Sequence, residues 1–316
     1  MTVAFVFPGQ GSQSVGMLSK LAATEAVVEA TFAEASEVLG YDLWKLCQEG
    51  PEDQLAATER QQPAMLAAGV ATWRVWHKHG GSMPAAMAGH SLGEYSALVA
   101  SNAVDFKTAV GLVQFRGQAM QGAVPQGQGA VAAILGLDDA EVEAACREAA
   151  QGELVQPANF NSPGQVVIAG AAAAVERAIV ACQARGAKRA IKLPLTVPVH
   201  TPLMKPAAER LGERLRAAQF RTPAVRDIYT VDVRKHGDPD QIRAALIEQV
   251  FKPVRWSETV QAMIAGGARV IVECGPGRVL TGLNRRIEKN RDIAMLAIED
   301  SESLQQALAA CRGQEQ

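Results

Sequence analysis

The chain has 316 residues, of which 48% are hydrophobic and 20% are charged, and its formal net charge is −2. A chain of this length holds one large domain or two smaller ones and can bury a substantial core. Its near-neutral charge argues against a general nucleic-acid binder or a membrane-surface binder.

The cysteines and the first residues indicate the compartment. None of the five cysteines belongs to a Cys-x-x-Cys pair, so the sequence contains neither a zinc motif nor a disulfide framework. The segment Met1–Pro8 lacks the basic region of a signal peptide, and no stretch reaches the ~20 apolar residues of a membrane span. We therefore expect a soluble, cytoplasmic protein.

The first predicted strand ends in a glycine-rich turn. Val3–Phe7 is a short apolar run typical of a buried strand, and Pro8–Ser12 contains one glycine on each side of Gln10. A dinucleotide-binding Gly-x-Gly-x-x-Gly would need a glycine where the chain has Ser14. What remains is a turn rich in backbone N–H groups, beside which a ligand can bind.

Residues 89–93, with the sequence Gly-His-Ser-Leu-Gly, separate a predicted strand at Met83–Ala88 from a helix that begins at Glu94. This pattern fits a nucleophile elbow, in which the turn is too tight for a side chain at either glycine and the hydroxyl of Ser91 is exposed. The N–H group after the serine would then point from a helix N-terminus to a developing oxyanion. A glycine-rich turn with an idle serine fits the five residues equally well.

The pattern changes after a second predicted helix that runs from Asp105 to Met120. Strands are predicted at 130–135, 154–158, 165–169 and 188–195, and helices at 138–150 and 171–185. The order β-α-β-β-α-β is that of a ferredoxin-like unit and is complete in itself. We therefore expect residues 127–196 to form a subdomain inserted into a large domain made of residues 1–126 and 197–316.

The large domain resumes with a proline-stiffened loop around His200. A strand is predicted at 228–233, helices at 240–250 and 257–265, another strand at 270–273, and a helix through Leu283. The tail after Ser301 is expected to be helical at most. The expected fold class is α/β: a large α/β-hydrolase-like domain with a parallel sheet and the nucleophile elbow, plus the inserted ferredoxin-like subdomain.

An elbow serine needs a base, and the chain has five histidines. His77 and His79 lie on or at the end of a predicted helix, His90 lies inside the elbow, and His236 lies in a polar turn. His200 is the best remaining candidate. Its position along the chain does not by itself place it beside the serine.

Eight short motifs, spread from the first strand to about Arg286, carry a family resemblance. They are Phe7–Gln13, Gln62–Ala64, Gly89–Glu94, Gln114–Gly117, Asn159–Gln165, Val197–His200, Pro253–Trp256 and Glu273–Gly277. Through them the chain resembles the malonyl-CoA:acyl carrier protein transacylases of type II fatty-acid synthesis. Two departures, Gln61 where threonine is common and Thr230 where asparagine is expected, fall outside the implied chemistry.

The resemblance implies a serine–histidine dyad. Ser91 is then the nucleophile and His200 the general base, oriented by the backbone carbonyl of Gln249 rather than by an aspartate. The N–H groups of Gln10 and Leu92 are implied as the oxyanion hole.

The resemblance also implies two residues that bind substrate. Arg116 would hold the free carboxylate of the malonyl group, because a guanidinium fork matches a carboxylate. Judged from its helix alone, Arg116 would be a solvated arginine. Asn161 is implied on the side of the inserted subdomain that faces the cleft.

The implied activity is transfer of a malonyl group from malonyl-CoA, through a seryl ester, to the phosphopantetheine thiol of acyl carrier protein, which supplies fatty-acid elongation. It requires no metal and no redox cofactor, involves neither nucleic acid nor membrane, and is expected of a monomer. The alternatives are a malonyl transferase subunit of a malonate decarboxylase and a non-catalytic scaffold for carrier proteins. An esterase would favour a histidine supported by aspartate late in the chain.

Two basic clusters are candidates for docking an acidic carrier protein, although either could be a merely solvated face. The first lies at the end of the inserted subdomain and the second on the last helix of the large domain. Their members are Arg185, Lys188, Arg189 and Lys192 in the first, and Arg285, Arg286 and Lys289 in the second.

Overall fold

Nine strands lie in two separate sheets in the computed structural model, which describes residues 2–312. The strands are β1 (Thr2–Phe7), β2 (Ala86–Gly89), β3 (Gly129–Leu135), β4 (Val155–Ser162), β5 (Gln165–Ala171), β6 (Arg189–Lys192), β7 (Asp227–Tyr229), β8 (Ala268–Cys274) and β9 (Ala294–Ile298). The expected mixed α/β fold with a parallel sheet is confirmed.

Fourteen α-helices and one short 3₁₀ helix, Pro202–Met204, connect or cover these strands in the described part of the chain. The α-helices are α1 (Ser19–Ala22), α2 (Val27–Leu39), α3 (Leu43–Glu49), α4 (Glu52–Ala56), α5 (Thr58–Lys78), α6 (Gly93–Ala100), α7 (Phe106–Gln121), α8 (Asp139–Ala150), α9 (Ala172–Ala184), α10 (Lys205–Ala217), α11 (Pro239–Gln249), α12 (Trp256–Ala265), α13 (Val279–Ile287) and α14 (Ser301–Arg312). Between residues 2 and 312, no helix is both long and apolar enough to cross a membrane.

The larger sheet has the order β7-β2-β1-β8-β9, and every pairing in it is parallel. Both faces are covered, as parallel sheets require, and β1 accordingly has no polar residue after Thr2. Phe5 and Phe7 enter one core and Ala4 and Val6 the other. Because Phe7 pairs in register with Gly89, the turn after β1 lies beside the turn after β2.

The smaller sheet has the order β4-β5-β3-β6 and is antiparallel throughout. Helices α8 and α9 bury one of its faces. The other face carries a few small apolar side chains, among them Val131 and Val167, which line the largest apolar cavity near the elbow. The backbones of Ala158 and Phe160 on β4 bond to Val254, which ties this sheet to the rest of the chain.

Several predicted boundaries shift in the structure. The strand before the elbow begins at Ala86 rather than Met83, because Pro84 has no N–H for a ladder hydrogen bond. The strand predicted at 228–233 ends at Tyr229, because the Asp232 carboxylate accepts hydrogen bonds from the Thr230 hydroxyl and from the Arg234 N–H and so forms a turn. Helix α10 and strand β9 were not among the predicted elements, whereas the helical tail is confirmed through residue 312.

Candidate active site

Ser91 lies in a sharp turn between β2, which ends at Gly89, and α6, which begins at Gly93. Its φ of 51° is unusual for a residue with a side chain and is the strained geometry of a nucleophile elbow. A Cβ atom at Gly89 would lie 1.9 Å from the N atom of Glu94, and one at Gly93 would lie 2.0 Å from the carbonyl oxygen of Phe7. The predicted strand–turn–helix and its need for both glycines are therefore confirmed.

The structure brings His200 to Ser91 although 109 positions separate them. The His200 Nε2 atom lies 2.8 Å from Ser91 Oγ, and its Nδ1 atom lies 2.8 Å from the backbone oxygen of Gln249. Because a carbonyl oxygen can only accept, Nδ1 carries the ring proton and Nε2 is free to accept the Ser91 hydroxyl proton. Over residues 2–312, no carboxylate contacts the His200 ring.

The electrostatics keep His200 neutral. Burial and, secondly, the nearby positive charge of Arg116 lower the pKa of His200 to about 3, although the bond to Gln249 raises it. The imidazole is therefore a neutral hydrogen-bond acceptor at neutral pH, the state that a general base requires.

The other four histidines make contacts elsewhere. His79 pairs with Glu25, and half-buried His236 pairs with Asp232. His77 is exposed and packs edge-on against Trp73. The His90 Nε2 atom lies 2.8 Å from Asn161 Oδ1. Of these, only His90 and Asn161 line the cavity beside Ser91.

Arg116, on α7, reaches the same place and is only 2% exposed. Its Nη2 atom donates to Ser91 Oγ at 3.1 Å and to Gln249 Oε1 at 2.9 Å, and its Nη1 atom donates to Gln62 Oε1 at 2.8 Å. Its Nε atom is buried and has no acceptor. All three acceptors are neutral, so this buried cation pairs with no anion within residues 2–312, and the solvated arginine that its helix alone suggested is wrong.

Two glutamine side chains were not foreseen as parts of the site. Gln62 lies on α5, is 2% exposed and positions Arg116, and the motif Gln62–Ala64 was the available signal. Gln249 was expected to act through its backbone alone. Its side chain also donates from Nε2 to the Ser91 carbonyl oxygen at 2.9 Å and to Glu94 Oε2 at 2.6 Å.

A cavity of about 300 Å³ opens in front of Ser91. The turn that contains Gln10, the elbow with Leu92, the open face of the smaller sheet and one side of α13 form its walls. The N–H groups of Gln10 and Leu92 donate to no acceptor in the described chain, so both are available to an oxygen atom of a ligand. The cavity thus holds a nucleophile, a neutral base, an unpaired cation and two free N–H donors.

Known proteins are similar to this chain over nearly its whole length. Residues 4–302 match the family model described as an acyl transferase domain. A malonyl CoA-acyl carrier protein transacylase from Escherichia coli is 58% identical over 284 residues, which are 90% of this chain and 92% of the relative.

Solved structures agree with that similarity. An acyl carrier protein S-malonyltransferase from Vibrio cholerae has a TM-score of 0.93 at 56% identity and covers 97% of this chain and 99% of its own. A malonyl-transacylase solved in complex with its type II PKS acyl-carrier protein has a TM-score of 0.95 at 53% identity and covers 98% and 100%. Over nearly its whole length, the chain therefore belongs to the malonyl CoA-acyl carrier protein transacylases of the acyltransferase family.

Proposed function

We propose that this acyltransferase moves a malonyl group from malonyl-CoA, through an ester on Ser91, to the phosphopantetheine thiol of an acyl carrier protein, and so supplies fatty-acid elongation. One observation carries the choice of acyl group: Arg116 is buried, has no anionic partner in the described residues and lies 3.1 Å from the nucleophilic oxygen. A malonyl thioester has a carboxylate one methylene away from its reacting carbonyl. That carboxylate supplies the missing anion.

In the first half-reaction, Ser91 Oγ attacks the thioester carbonyl carbon and gives its proton to His200 Nε2. The carbonyl oxygen becomes an oxyanion, which the N–H groups of Gln10 and Leu92 stabilise. When the tetrahedral intermediate collapses, the carbon–sulfur bond breaks and the CoA sulfur takes the proton from His200. The second half-reaction reverses these steps, with the carrier-protein thiol as the attacking group.

We also propose a more detailed classification of the two parts of the fold. The order β3-α8-β4-β5-α9-β6, with its antiparallel sheet, supports a ferredoxin-like subdomain at residues 127–196. The parallel sheet and the elbow support an α/β-hydrolase-like domain made of residues 1–126 and 197–316. In this arrangement Asn161, on β4, holds the His90 ring at the edge of the acyl pocket. The cytoplasmic location and the monomeric state stay predictions.

A covalent intermediate is the direct test. Malonyl-CoA alone should add the mass of one malonyl group to the peptide that contains Ser91. Carrier protein with a free phosphopantetheine thiol should then remove that malonyl group. Initial-rate plots with one substrate varied at several levels of the other should be parallel, because CoA and the carrier protein use the same site in turn. The matched control is Ser91→Ala, which should gain no mass. Intersecting plots, or unchanged mass in the wild type, would contradict the proposal.

The carrier protein is expected to dock where the two basic clusters meet. Arg189 and Gln165 both pair with Leu135 on β3, one from each side, and Arg286 donates to the Gln165 side chain at the edge of the cavity. In contrast, Arg185 already pairs with two glutamates of α8. The positive charges available to an acidic partner are therefore those of Arg286 and Arg189.

Charge reversal at Arg286 should raise KM for the carrier protein, most strongly at low salt, and leave acylation by malonyl-CoA unchanged. Arg185→Glu is the control and should raise that KM less, because its charge is locally neutralised. Steady-state assays of the two half-reactions measure both effects. Equal losses in both half-reactions for Arg286→Glu would contradict docking at this edge.

A further inference from the structure

Glu94 is a buried acid behind the nucleophile, and the chemistry proposed above does not use it. It lies in the first turn of α6 and is 2% exposed. Its Oε2 atom accepts a hydrogen bond from Gln249 Nε2 at 2.6 Å, whereas its Oε1 atom is buried and has no partner. A carboxylate buried with half of its acceptor capacity unused is costly in its charged form.

The side-chain amide of Gln249 connects this acid to the cation of the acyl pocket. Its Nε2 atom donates to Glu94 and its Oε1 atom accepts from Arg116 Nη2 at 2.9 Å. Every acceptor that contacts Arg116 directly is neutral. Glu94 is an acid that is coupled to Arg116 through one intervening side chain, that of Gln249. When Glu94 is ionised, the two charges offset each other inside the protein.

Several titratable groups surround Glu94. Burial, the largest effect, raises the pKa of Glu94 to about 8, and the bond from Gln249 and the charge of Arg116 act against it. Asp232 raises this pKa further. Tyr95, the next residue on α6, stays neutral because burial raises its pKa well above its ordinary value, and His200 is neutral as described above.

The arrival of a malonyl group changes this balance. When Glu94 is ionised, as in the free enzyme above about pH 8, one buried cation faces one buried anion and the net charge is zero. The malonyl carboxylate adds a second anion next to the same guanidinium, and an uncompensated charge in a buried site is unfavourable. An acetyl group adds no charge and leaves the balance as it was.

We propose that Glu94 is a selectivity-determining positioning residue: loading of a malonyl group at Ser91 requires Glu94 in its protonated form, so that an ionised Glu94 takes up one proton, whereas loading of an acetyl group requires none. The inference rests on the proposed malonyl transfer. The proton comes from solvent and converts the carboxylate to the neutral acid, while the thioester exchange itself is unaltered. A small cavity of about 10 Å³, lined by Ser91, Glu94, Gln249 and exposed Arg255, can hold one water molecule that gives the acid contact with solvent.

The sign of the pH effect follows from the proton being a reactant. Below about pH 8 Glu94 is already protonated in the free enzyme, so malonyl loading needs no further proton. Above this pH the free enzyme must first bind one, so kcat/KM for malonyl loading should fall by up to about tenfold for each pH unit. The ratio of malonyl to acetyl loading isolates this effect, because His200, Ser91 and the CoA thiol contribute equally to both reactions.

The experiment measures single-turnover acylation of Ser91 by malonyl-CoA and by acetyl-CoA from about pH 6.5 to about pH 9.5, a range that extends about 1.5 units to either side of the expected transition. The malonyl-to-acetyl ratio should fall above about pH 8 in the wild type and should not vary with pH in Glu94→Gln, whose amide resembles the protonated acid. Glu25→Gln is the matched control: Glu25 is also buried, but it pairs with Lys78 and His79, so the fall should persist.

A second measurement needs no variant. The wild type is acylated at about pH 9 in weak buffer with the acyl-CoA ligands malonyl-CoA and acetyl-CoA, and a pH indicator should show that malonyl loading takes up about one proton more than acetyl loading, because CoA release contributes equally to both. A pH-independent ratio in the wild type, a fall that persists in Glu94→Gln, or equal proton uptake with both ligands would overturn the role of Glu94 alone. Failure of malonyl-CoA to acylate Ser91 at any pH would overturn the proposed function and this inference with it.

Discussion

Replacement of His200 by alanine is expected to slow acylation of Ser91 by roughly 10²–10⁴-fold, the range for loss of a general base. The His200 Nε2 atom lies 2.8 Å from Ser91 Oγ and is an acceptor, because Nδ1 donates to a carbonyl oxygen. The other polar side chain in contact with Oγ within the described residues is Arg116, which can only donate. No second side chain in contact with Oγ can therefore take the proton.

The measurement is the single-turnover rate of mass gain on Ser91 with malonyl-CoA. His79→Ala is the matched control, because that ring bonds to Glu25 and not to the nucleophile. It should acylate at nearly the wild-type rate, as should His77→Ala and His236→Ala. A larger loss from any of these three than from His200→Ala would assign the base to another residue.

The pH dependence gives a second readout of the same assignment. Burial and the charge of Arg116 lower the pKa of His200 to about 3, so the base stays unprotonated through neutral and mildly acidic solution. Acylation by acetyl-CoA should accordingly be nearly constant from about pH 7 to about pH 5. A fall centred near pH 6.5, the ordinary histidine value, would mean that the ring is more exposed or less coupled to Arg116 than the structure shows.

The second large effect is expected at Arg116. Replacement by alanine should cost malonyl acylation about 3–5 kcal/mol, the range for removing one partner of a buried ion pair. The malonyl carboxylate would then be buried without a cation, whereas an acetyl group has no charge to satisfy. Acylation by acetyl-CoA should therefore be spared, or should improve because the bulky cation is gone.

Arg116→Lys tests whether charge alone is sufficient. The guanidinium simultaneously contacts Gln62, Ser91 and Gln249, and a single ammonium on a flexible stem cannot reproduce that fork. Lysine should consequently restore little of the malonyl activity. Acylation rates with both acyl-CoA donors, in the wild type and the two variants, decide the matter. An equal loss with both donors would mean that Arg116 acts by holding Gln249, and through it His200, and does not select the acyl group.

The sequence by itself determined the structural elements that depend on interactions between residues close together in the chain. The elbow at Ser91 could be recognised because a tight turn between a strand and a helix needs glycines where backbones approach closely, and Gly89 and Gly93 lie within the same short motif. The order β-α-β-β-α-β was readable for the same reason, since apolar periodicity reports one element at a time. The boundaries at Ala86 and Tyr229 were missed, because one proline and one aspartate side chain end the pairing there.

The contacts that join distant segments were decided by tertiary structure. Elimination among the histidines made His200 the best candidate base, but 109 positions of chain do not predict its contact with Ser91. The role of Arg116 could be suggested only by family resemblance, because an arginine on a helix predicts no contact with Ser91. Gln62 and Glu94 belong to the resemblance motifs and Gln249 was named for its backbone carbonyl, but no role for the side chains of these three residues could be predicted from the sequence. They form a single network only in the folded protein, where the register of the parallel sheet brings the turns after β1 and β2 together and α5, α7 and α11 pack around the elbow. Because these polar groups are buried there, each depends on its neighbour in the network for its hydrogen bonds.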